Sequence, residues 1–169
     1  SWTPRRVALA EETPMTTTRF TVHTSLTPTE LLAVITDFGP NRTKWWPNVD
    51  EDHFTVHGEG DGWAEVTEGT SMGWERERYE GDAASGVVTI RTLDSNLWGA
   101  GSAWRYELEP AGGGTDLHVS LTRVPRAFTG PVVGALVPVL GSRALAAQFR
   151  TVLPRAAPGR SEDPGRPAP

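Results

Sequence analysis

Alternating apolar and polar residues predict that most of this chain folds as β-strands. In the segment 18–25, Phe20 and Val22 fall on one side of the chain and polar residues on the other, which is the period of a half-buried strand. Six further short segments have strand character and are separated by Gly-rich turns: 53–57, 63–68, 74–80, 87–93, 102–109 and 115–123. The pattern therefore predicts seven strands.

Two short helices are predicted directly after the first strand. Thr27-Pro28-Thr29-Glu30 is a capping box with proline at the first helical position. Apolar residues then recur at helical spacing, at Leu31, Leu32, Ile35 and Phe38. A second helix is predicted over 42–46, where Pro47 ends it.

A long C-terminal helix is predicted from Thr129-Gly130-Pro131 to about Leu153, with a kink at Pro138. The predicted fold is α+β, with a seven-stranded curved antiparallel sheet around this helix. We expect residues 17–153 to form one domain. Residues 1–16 are expected to be a flexible leader, and 154–169 a disordered Pro/Gly/Arg-rich tail.

Hairpin geometry predicts which side chains face the interior, because residues opposite each other in an antiparallel pair share a side of the sheet. If the turns are centred on Gly60, 70–71, 83–84 and 112–113, one face is mostly apolar: Phe54, Val56, Ala64, Val66, Glu75, Glu77, Tyr79, Val88, Ile90, Trp104, Tyr106, Leu108, Leu117, Val119 and Leu121. The opposite, outer face receives Arg76, Arg78 and the histidines His23, His53, His57 and His118.

Composition excludes several classes of function. The net charge is −5 and the basic residues are scattered, so neither nucleic acid nor an anionic membrane is an expected partner. No cysteine is present, and His53 and His57 would lie too far apart on a strand to hold one ion, so no metal site is expected. No apolar run is long enough to span a bilayer. We expect a cytoplasmic protein without a cofactor, and the single lysine among sixteen basic residues suggests a bacterial source.

Several segments, together with the order of elements, resemble one known superfamily. They are 42–47 (RTKWWP), 74–79 (WERERY), 94–96 (DSN), 101–106 (GSAWRY) and the turn 112–115 (GGGT). The chain from about Thr18 to Leu153 resembles the START-like, polyketide cyclase/dehydrase superfamily, also called SRPBCC or helix-grip proteins. The resemblance implies a cavity that binds lipids, sterols, hormones or polyketides, and in some members cyclises or dehydrates aromatic polyketides. None of these segments is a reaction signature, so the resemblance assigns no catalytic residue.

Glu75, Glu77 and Tyr79 are the candidate catalytic residues. A carboxyl group that faces an apolar cavity is costly to ionise, so its pKa rises toward values suited to proton transfer, and a nearby phenol can donate to a developing enolate oxygen. Two alternatives remain open. One glutamate could reach water at the sheet rim, or a different register could turn Arg76 and Arg78 inward.

The candidate ligand-binding residues are the bulky and apolar members of the inner face and two residues beyond it. They are Phe54, Val66, Ile90, Asn96, Trp104, Tyr106, Val119 and Leu140. Asn96 either shapes a turn or binds a ligand carbonyl. The leading hypothesis is a protein that binds a small hydrophobic molecule, such as a lipid or polyketide. The alternative is a cofactor-independent polyketide cyclase or dehydratase, and a third possibility is an interaction module whose cavity is filled by its own side chains.

Overall fold

The computed structural model describes residues 15–126 and 142–154, and within them seven antiparallel strands form one curved sheet. The strands are β1 (Thr16–Thr24), β2 (Thr55–Gly60), β3 (Trp63–Gly69), β4 (Trp74–Asp82), β5 (Val87–Ser95), β6 (Ala103–Ala111) and β7 (Gly114–Arg123). Their order across the sheet is β1-β7-β6-β5-β4-β3-β2. The predicted α+β architecture is confirmed.

In the part of the chain that the structure describes, three α-helices accompany the sheet: α1 (Pro28–Ile35), α2 (Arg42–Trp45) and α3 (Ser142–Val152). The predicted capping box forms at α1, because the Glu30 amide donates to the Thr27 hydroxyl and the Thr27 amide donates to the Glu30 carboxylate. The first part of the predicted C-terminal helix, 129–141 with its kink at Pro138, lies outside the described residues.

The predicted inner face agrees with the observed register, but only the 112–113 turn is centred where it was predicted. The other three turns lie about one residue later, because Gly60 pairs with Trp63, Gly69 with Trp74 and Asp82 with Val87.

Gly112 and Gly113 form the two-residue turn between β6 and β7, with φ of +51° and +78° that favour glycine. This turn pairs Tyr106 with Val119 and places both side chains in the core. Glu77 likewise lies opposite Val66 on the inner face.

The start of β2 corrects the prediction of a strand over 53–57. The Asp50 carboxylate accepts from the His53 amide at 2.9 Å and caps a short 3₁₀ turn over Glu51–His53, so His53 precedes the strand. A β-bulge follows, because Val56 pairs with Val66 while Gly58 pairs with Glu65. Val56 shares the inner face as predicted, yet it is 38% exposed because β2 is the edge of the sheet.

Helices α1 and α3 close the concave face of the sheet. Leu31 and Ile35 of α1 are buried, as are Leu145, Phe149 and Val152 of α3. The Phe149 ring packs edge-on against Trp46 and Tyr106, with centroids 5.4 and 5.8 Å away. Among the described residues, none of the helices combines the length and apolar character needed to cross a bilayer. A cavity remains between α3, the segment after α2 and the sheet. It is the feature of the fold most relevant to function.

Candidate functional site

A cavity of about 330 Å³ lies between the concave face of the sheet, α3 and the segment that follows α2. Within the described residues its apolar lining is rich in aromatic rings and consists of Ile35, Trp46, Val49, Met72, Leu97, Trp98, Trp104, Tyr106, Leu145 and Phe149. Its polar lining includes Arg42, Glu68, Glu75, Glu77, Tyr79, Arg123 and Gln148. Five of the predicted residues therefore meet at one cavity: Glu75, Glu77, Tyr79, Trp104 and Tyr106.

A second cleft of similar volume is lined by Leu32, Thr36, Phe38 and residues of the segments 59–64 and 79–83. Its carboxylates, such as Glu59 and Asp82, are exposed to solvent. Exposed charges of this kind are screened by water and salt. The cavity beneath α3 is therefore the candidate site.

Arg42 forms the first of two ion pairs in the cavity wall. Its Nε and Nη2 donate to the two Glu68 carboxylate oxygens, each at 2.8 Å, and its Nη1 donates to the Ile35 carbonyl at 2.8 Å. The Tyr79 hydroxyl accepts from Nη2 and donates to Glu68. The network therefore links α1, α2, β3 and β4.

This network is buried, and it remains charged. Arg42 is 4% and Glu68 9% exposed, and the guanidinium lies 5.0 and 5.2 Å from the Phe38 and Trp46 ring centroids. Burial by itself raises the pKa of Glu68, but the Arg42 charge and its hydrogen bonds outweigh burial and hold that pKa below its ordinary value. Glu68 is therefore an ionised carboxylate.

Arg123 and Glu75 form the second ion pair. Arg123 Nη1 and Nη2 donate to the two Glu75 oxygens at 2.6 and 2.9 Å, and the Thr92 hydroxyl donates to Glu75 at 2.9 Å. The Arg123 guanidinium packs against Trp98 and Trp104, 4.9 and 5.3 Å from their centroids. Neither partner is at the rim, since the Glu75 and Arg123 side chains are 15% and 12% exposed.

Glu77 lies near both pairs and belongs to neither. It is 3% exposed, it lines the cavity, and no group within residues 15–126 and 142–154 donates a hydrogen bond to its carboxyl oxygens. Burial, and then the charges of Glu75 and Glu68, raise the pKa of Glu77 well above its ordinary value, and Arg123 offsets only part of this. Glu77 therefore keeps its proton to higher pH than an ordinary glutamate, and the protonated carboxyl donates a hydrogen bond to Glu68.

The register excludes the alternative in which Arg76 and Arg78 face inward. Arg78 lies on the outer face, 4.5 Å from the Trp63 ring centroid, and pairs with Glu65 at 3.0 Å. The Arg76 side chain is 44% exposed. Of the predicted trio, Tyr79 is already bonded to Glu68 and Arg42, whereas Tyr106 makes no hydrogen bond within the described part of the chain and lines the cavity.

Several predicted ligand-binding residues lie away from the cavity lining. Val66, Ile90 and Val119 are at most 2% exposed and pack in the hydrophobic core. Phe54 packs half-buried against the same core. Asn96 joins two loops, accepting from the Trp74 amide at 2.9 Å and donating to the Met72 carbonyl at 3.3 Å, which is the turn role. Leu140 lies outside the described residues.

Sequence reasoning missed Arg42, Glu68 and Arg123. The signal for two of them was present: Glu68 continues the inward series from Ala64 and Val66, and Arg123 continues the series from Val119. No periodic signal marks Arg42, because a four-residue helix is too short to show one.

The curved antiparallel sheet and the helix above it define a helix-grip fold, with a cavity between them. The chain belongs to the polyketide cyclase / dehydrase and lipid transport family, whose model matches residues 15–155. The resemblance inferred from the sequence is thereby confirmed. A comparison with curated proteins finds no match.

Solved structures share the fold at low sequence identity. The ZhuI aromatase/cyclase from Streptomyces sp. R1128 is 17% identical, with a TM-score of 0.59 over 85% of this chain and 87% of that one. Norcoclaurine synthase from Thalictrum flavum, in complex with dopamine and hydroxybenzaldehyde, is 13% identical, with a TM-score of 0.62 over 92% and 94%. A START superfamily protein from Mycobacterium smegmatis is 16% identical, with a TM-score of 0.59 over 80% and 96%.

Replacing Arg42 by Met is expected to lower the free energy of unfolding by about 3–5 kcal/mol, because it leaves Glu68 buried without its cation. The double variant Arg42→Met/Glu68→Leu should be less destabilised than the sum of the single variants. Urea unfolding checks this, with Arg105→Met as the control, since the exposed pair Arg105–Glu107 is worth about 1 kcal/mol or less. Additive effects at Arg42 and Glu68 would contradict the assigned pair.

Glu77→Gln is expected to stabilise the protein increasingly as the pH rises. The pKa of Glu77 is raised on folding, so between the ordinary glutamate value of about 4.3 and the folded value the unfolded chain releases a proton that the native chain retains. In this pH range, ionisation of Glu77 in the unfolded chain lowers the free energy of unfolding of the wild type by up to about 1.4 kcal/mol per pH unit. Glutamine does not ionise, so the variant does not show this decrease. Thermal unfolding at several pH values measures the difference. A stability difference between the two proteins that does not change with pH would contradict the assignment.

Proposed function

We propose that this protein binds a small hydrophobic molecule in the cavity beneath α3. The observation that supports this most directly is a largely aromatic cavity of about 330 Å³ that contains a buried carboxyl group, Glu77, outside both ion pairs. Ligand sites in proteins are typically concave, mostly apolar and supplied with a few polar groups that orient the ligand. The cavity has each of these properties, and its volume suits a compact ligand of one to three rings.

The proposal divides the lining residues by role. Trp46, Trp104 and Phe149 provide flat apolar surface for a ring system. The Tyr106 hydroxyl and the Trp46 Nε1 group, neither of which has a hydrogen-bond partner within the described residues, supply polar groups for a ligand. The two ion pairs fix the shape of the wall, so the site is largely formed before the ligand enters.

The family and the structural neighbours support a ligand of this kind. The family description joins polyketide cyclases and dehydrases with lipid transport. One neighbour of the same fold is an aromatase/cyclase, and another was solved with dopamine and hydroxybenzaldehyde, both small aromatic molecules. By analogy, we propose that residues 17–153 form the ligand-binding domain and that it works without a metal or cofactor.

A cofactor-independent cyclase or dehydratase is the second candidate, and one observation favours it. Glu77 holds a proton beside Glu68, an ionised carboxylate that can accept it. Aldol-type cyclisation and dehydration require a proton to be delivered to an oxygen and another to be removed from carbon. Glu77 would deliver the proton and, once ionised, serve as the base.

Native mass spectrometry of gently purified protein tests the binding proposal. We expect a hydrophobic compound to be retained by the wild type and lost from Gln148→Trp, which fills the cavity from α3. Ala147→Trp is the matched control, because Ala147 is the preceding residue of the same helix and is exposed. Equal retention by all three proteins would contradict binding in this cavity.

The same compound separates the two candidates. In a catalyst, Glu77→Gln should abolish turnover of the retained compound while its affinity stays nearly unchanged, because glutamine preserves size and hydrogen bonding but not proton transfer. Undiminished turnover in this variant would exclude Glu77 as the acid.

A further inference from the structure

The cavity and the second cleft have one lining residue in common within the described chain, Tyr79. On β4, Glu77 lines the cavity and Gly81 lines the cleft, with Tyr79 between them. On β3, Glu68 lines the cavity and Ala64 lines the cleft. Alternate residues of a strand lie on the same face of the sheet. The two spaces are therefore neighbours along the concave face, and they meet at Tyr79.

The other elements that border both spaces show how thin the partition is. Ile35 of α1 lines the cavity and Leu32 of the same helix lines the cleft. Val88 lines the cleft, whereas Tyr106, its partner across the sheet, lines the cavity. Paired residues on adjacent strands have Cα atoms only about 5 Å apart. The partition between the two spaces is therefore about one side chain thick.

The Tyr79 side chain is held firmly in this partition. Its hydroxyl accepts a hydrogen bond from Arg42 Nη2 at 2.8 Å and donates one to Glu68. The Phe38 ring packs edge-on against the Tyr79 ring, with centroids 4.8 Å apart. Rotating the buried ring away would break both hydrogen bonds and leave their partners unsatisfied, which is costly. Tyr79 therefore forms a fixed barrier.

We infer that Tyr79 is a specificity-determining residue, which limits the length of the ligand by closing the cavity from the second cleft. This inference rests on the proposed function, since it concerns ligands of the same cavity. With the ring in place, a ligand has the cavity of about 330 Å³; without it, the cleft of about 330 Å³ is added. The protein therefore selects compact hydrophobic molecules over those with a long extended chain.

A series of straight-chain 1-alkanols from hexanol to tetradecanol tests the inference, because its members differ only in length. Affinities would be measured by isothermal titration and by the fluorescence of the tryptophans that line the cavity. Each methylene buried in an apolar cavity should tighten binding by roughly fourfold. In the wild type we expect this gain to stop within the series, at a chain length that defines the limit.

Three substitutions separate the barrier from a simple change in cavity volume. Tyr79→Ala joins the two spaces and should raise the limit by at least two carbons, which tightens the binding of tetradecanol by more than about tenfold. Tyr106→Ala removes a side chain of the same size that lines the cavity alone, so it should raise the limit less. Tyr79→Phe retains the ring and should retain the wild-type limit. Circular dichroism confirms that each variant is folded.

Filling the cleft provides a test that does not require Tyr79→Ala to fold. Ala83 is exposed, lies in the turn after β4 and lines the cleft. Ala83→Trp should leave the affinity of every alkanol unchanged when Tyr79 is present, because the barrier already excludes the ligand from the cleft. Combined with Tyr79→Ala, the same substitution should lower the raised limit.

The outcomes distinguish failure of the inference from failure of the proposed function. If no alkanol binds to the wild type, the proposed binding function fails and the inference fails with it. If alkanols bind but Tyr79→Ala raises the limit no more than Tyr106→Ala does, only the inference is overturned. A wild-type affinity that rises through tetradecanol, or that Ala83→Trp weakens for the long alkanols, would also overturn it.

Discussion

The charge balance inside the cavity is the constraint on which the site depends. Within the described lining, three carboxyl groups and two guanidinium groups share one apolar space, where an unpaired charge is costly. Arg42 neutralises Glu68 and Arg123 neutralises Glu75, each with two short hydrogen bonds. Glu77 is then left without a counter-ion and keeps its proton. Its unusual chemistry is therefore a property of the whole arrangement.

The same ion pairs make the cavity a defined shape. Arg42 joins the last turn of α1, through the Ile35 carbonyl, to β3 and β4, through Glu68 and Tyr79. Arg123 lies against two tryptophan rings at the other side of the lining. Because the walls are fixed by buried bonds, the cavity does not depend on a ligand to hold it open. A preformed apolar cavity that contains the protonated carboxyl of Glu77 suits both ligand binding and proton transfer. Whether the protein binds its ligand or converts it then depends on whether that ligand can react by proton transfer.

The fold was largely predictable from the sequence because capping boxes, turn glycines and strand alternation each involve residues that are close together in the chain. The capping box at Thr27 and the glycine turn at 112–113 form as predicted, and the turn sets the orientation of Tyr106. The bulge in β2 was not predictable, because it depends on how an edge strand meets its neighbour. The site was predictable in part: alternation placed Glu77 inside, yet Arg42 acquires its role through Glu68, 26 residues away. The alternation of apolar and polar residues does not indicate which charged residues far apart in the sequence will pair.

The protonation state of Glu77 tests the account most directly. A titration by NMR of protein labelled with ¹³C at the glutamate side-chain carboxyl, compared with Glu77→Gln, follows each carboxyl separately. The account predicts one resonance, absent from the variant, that remains in the protonated position after the exposed glutamates have ionised. If the Glu77 resonance shifts together with those glutamates near pH 4.3, the usual value, the charge balance described here is wrong.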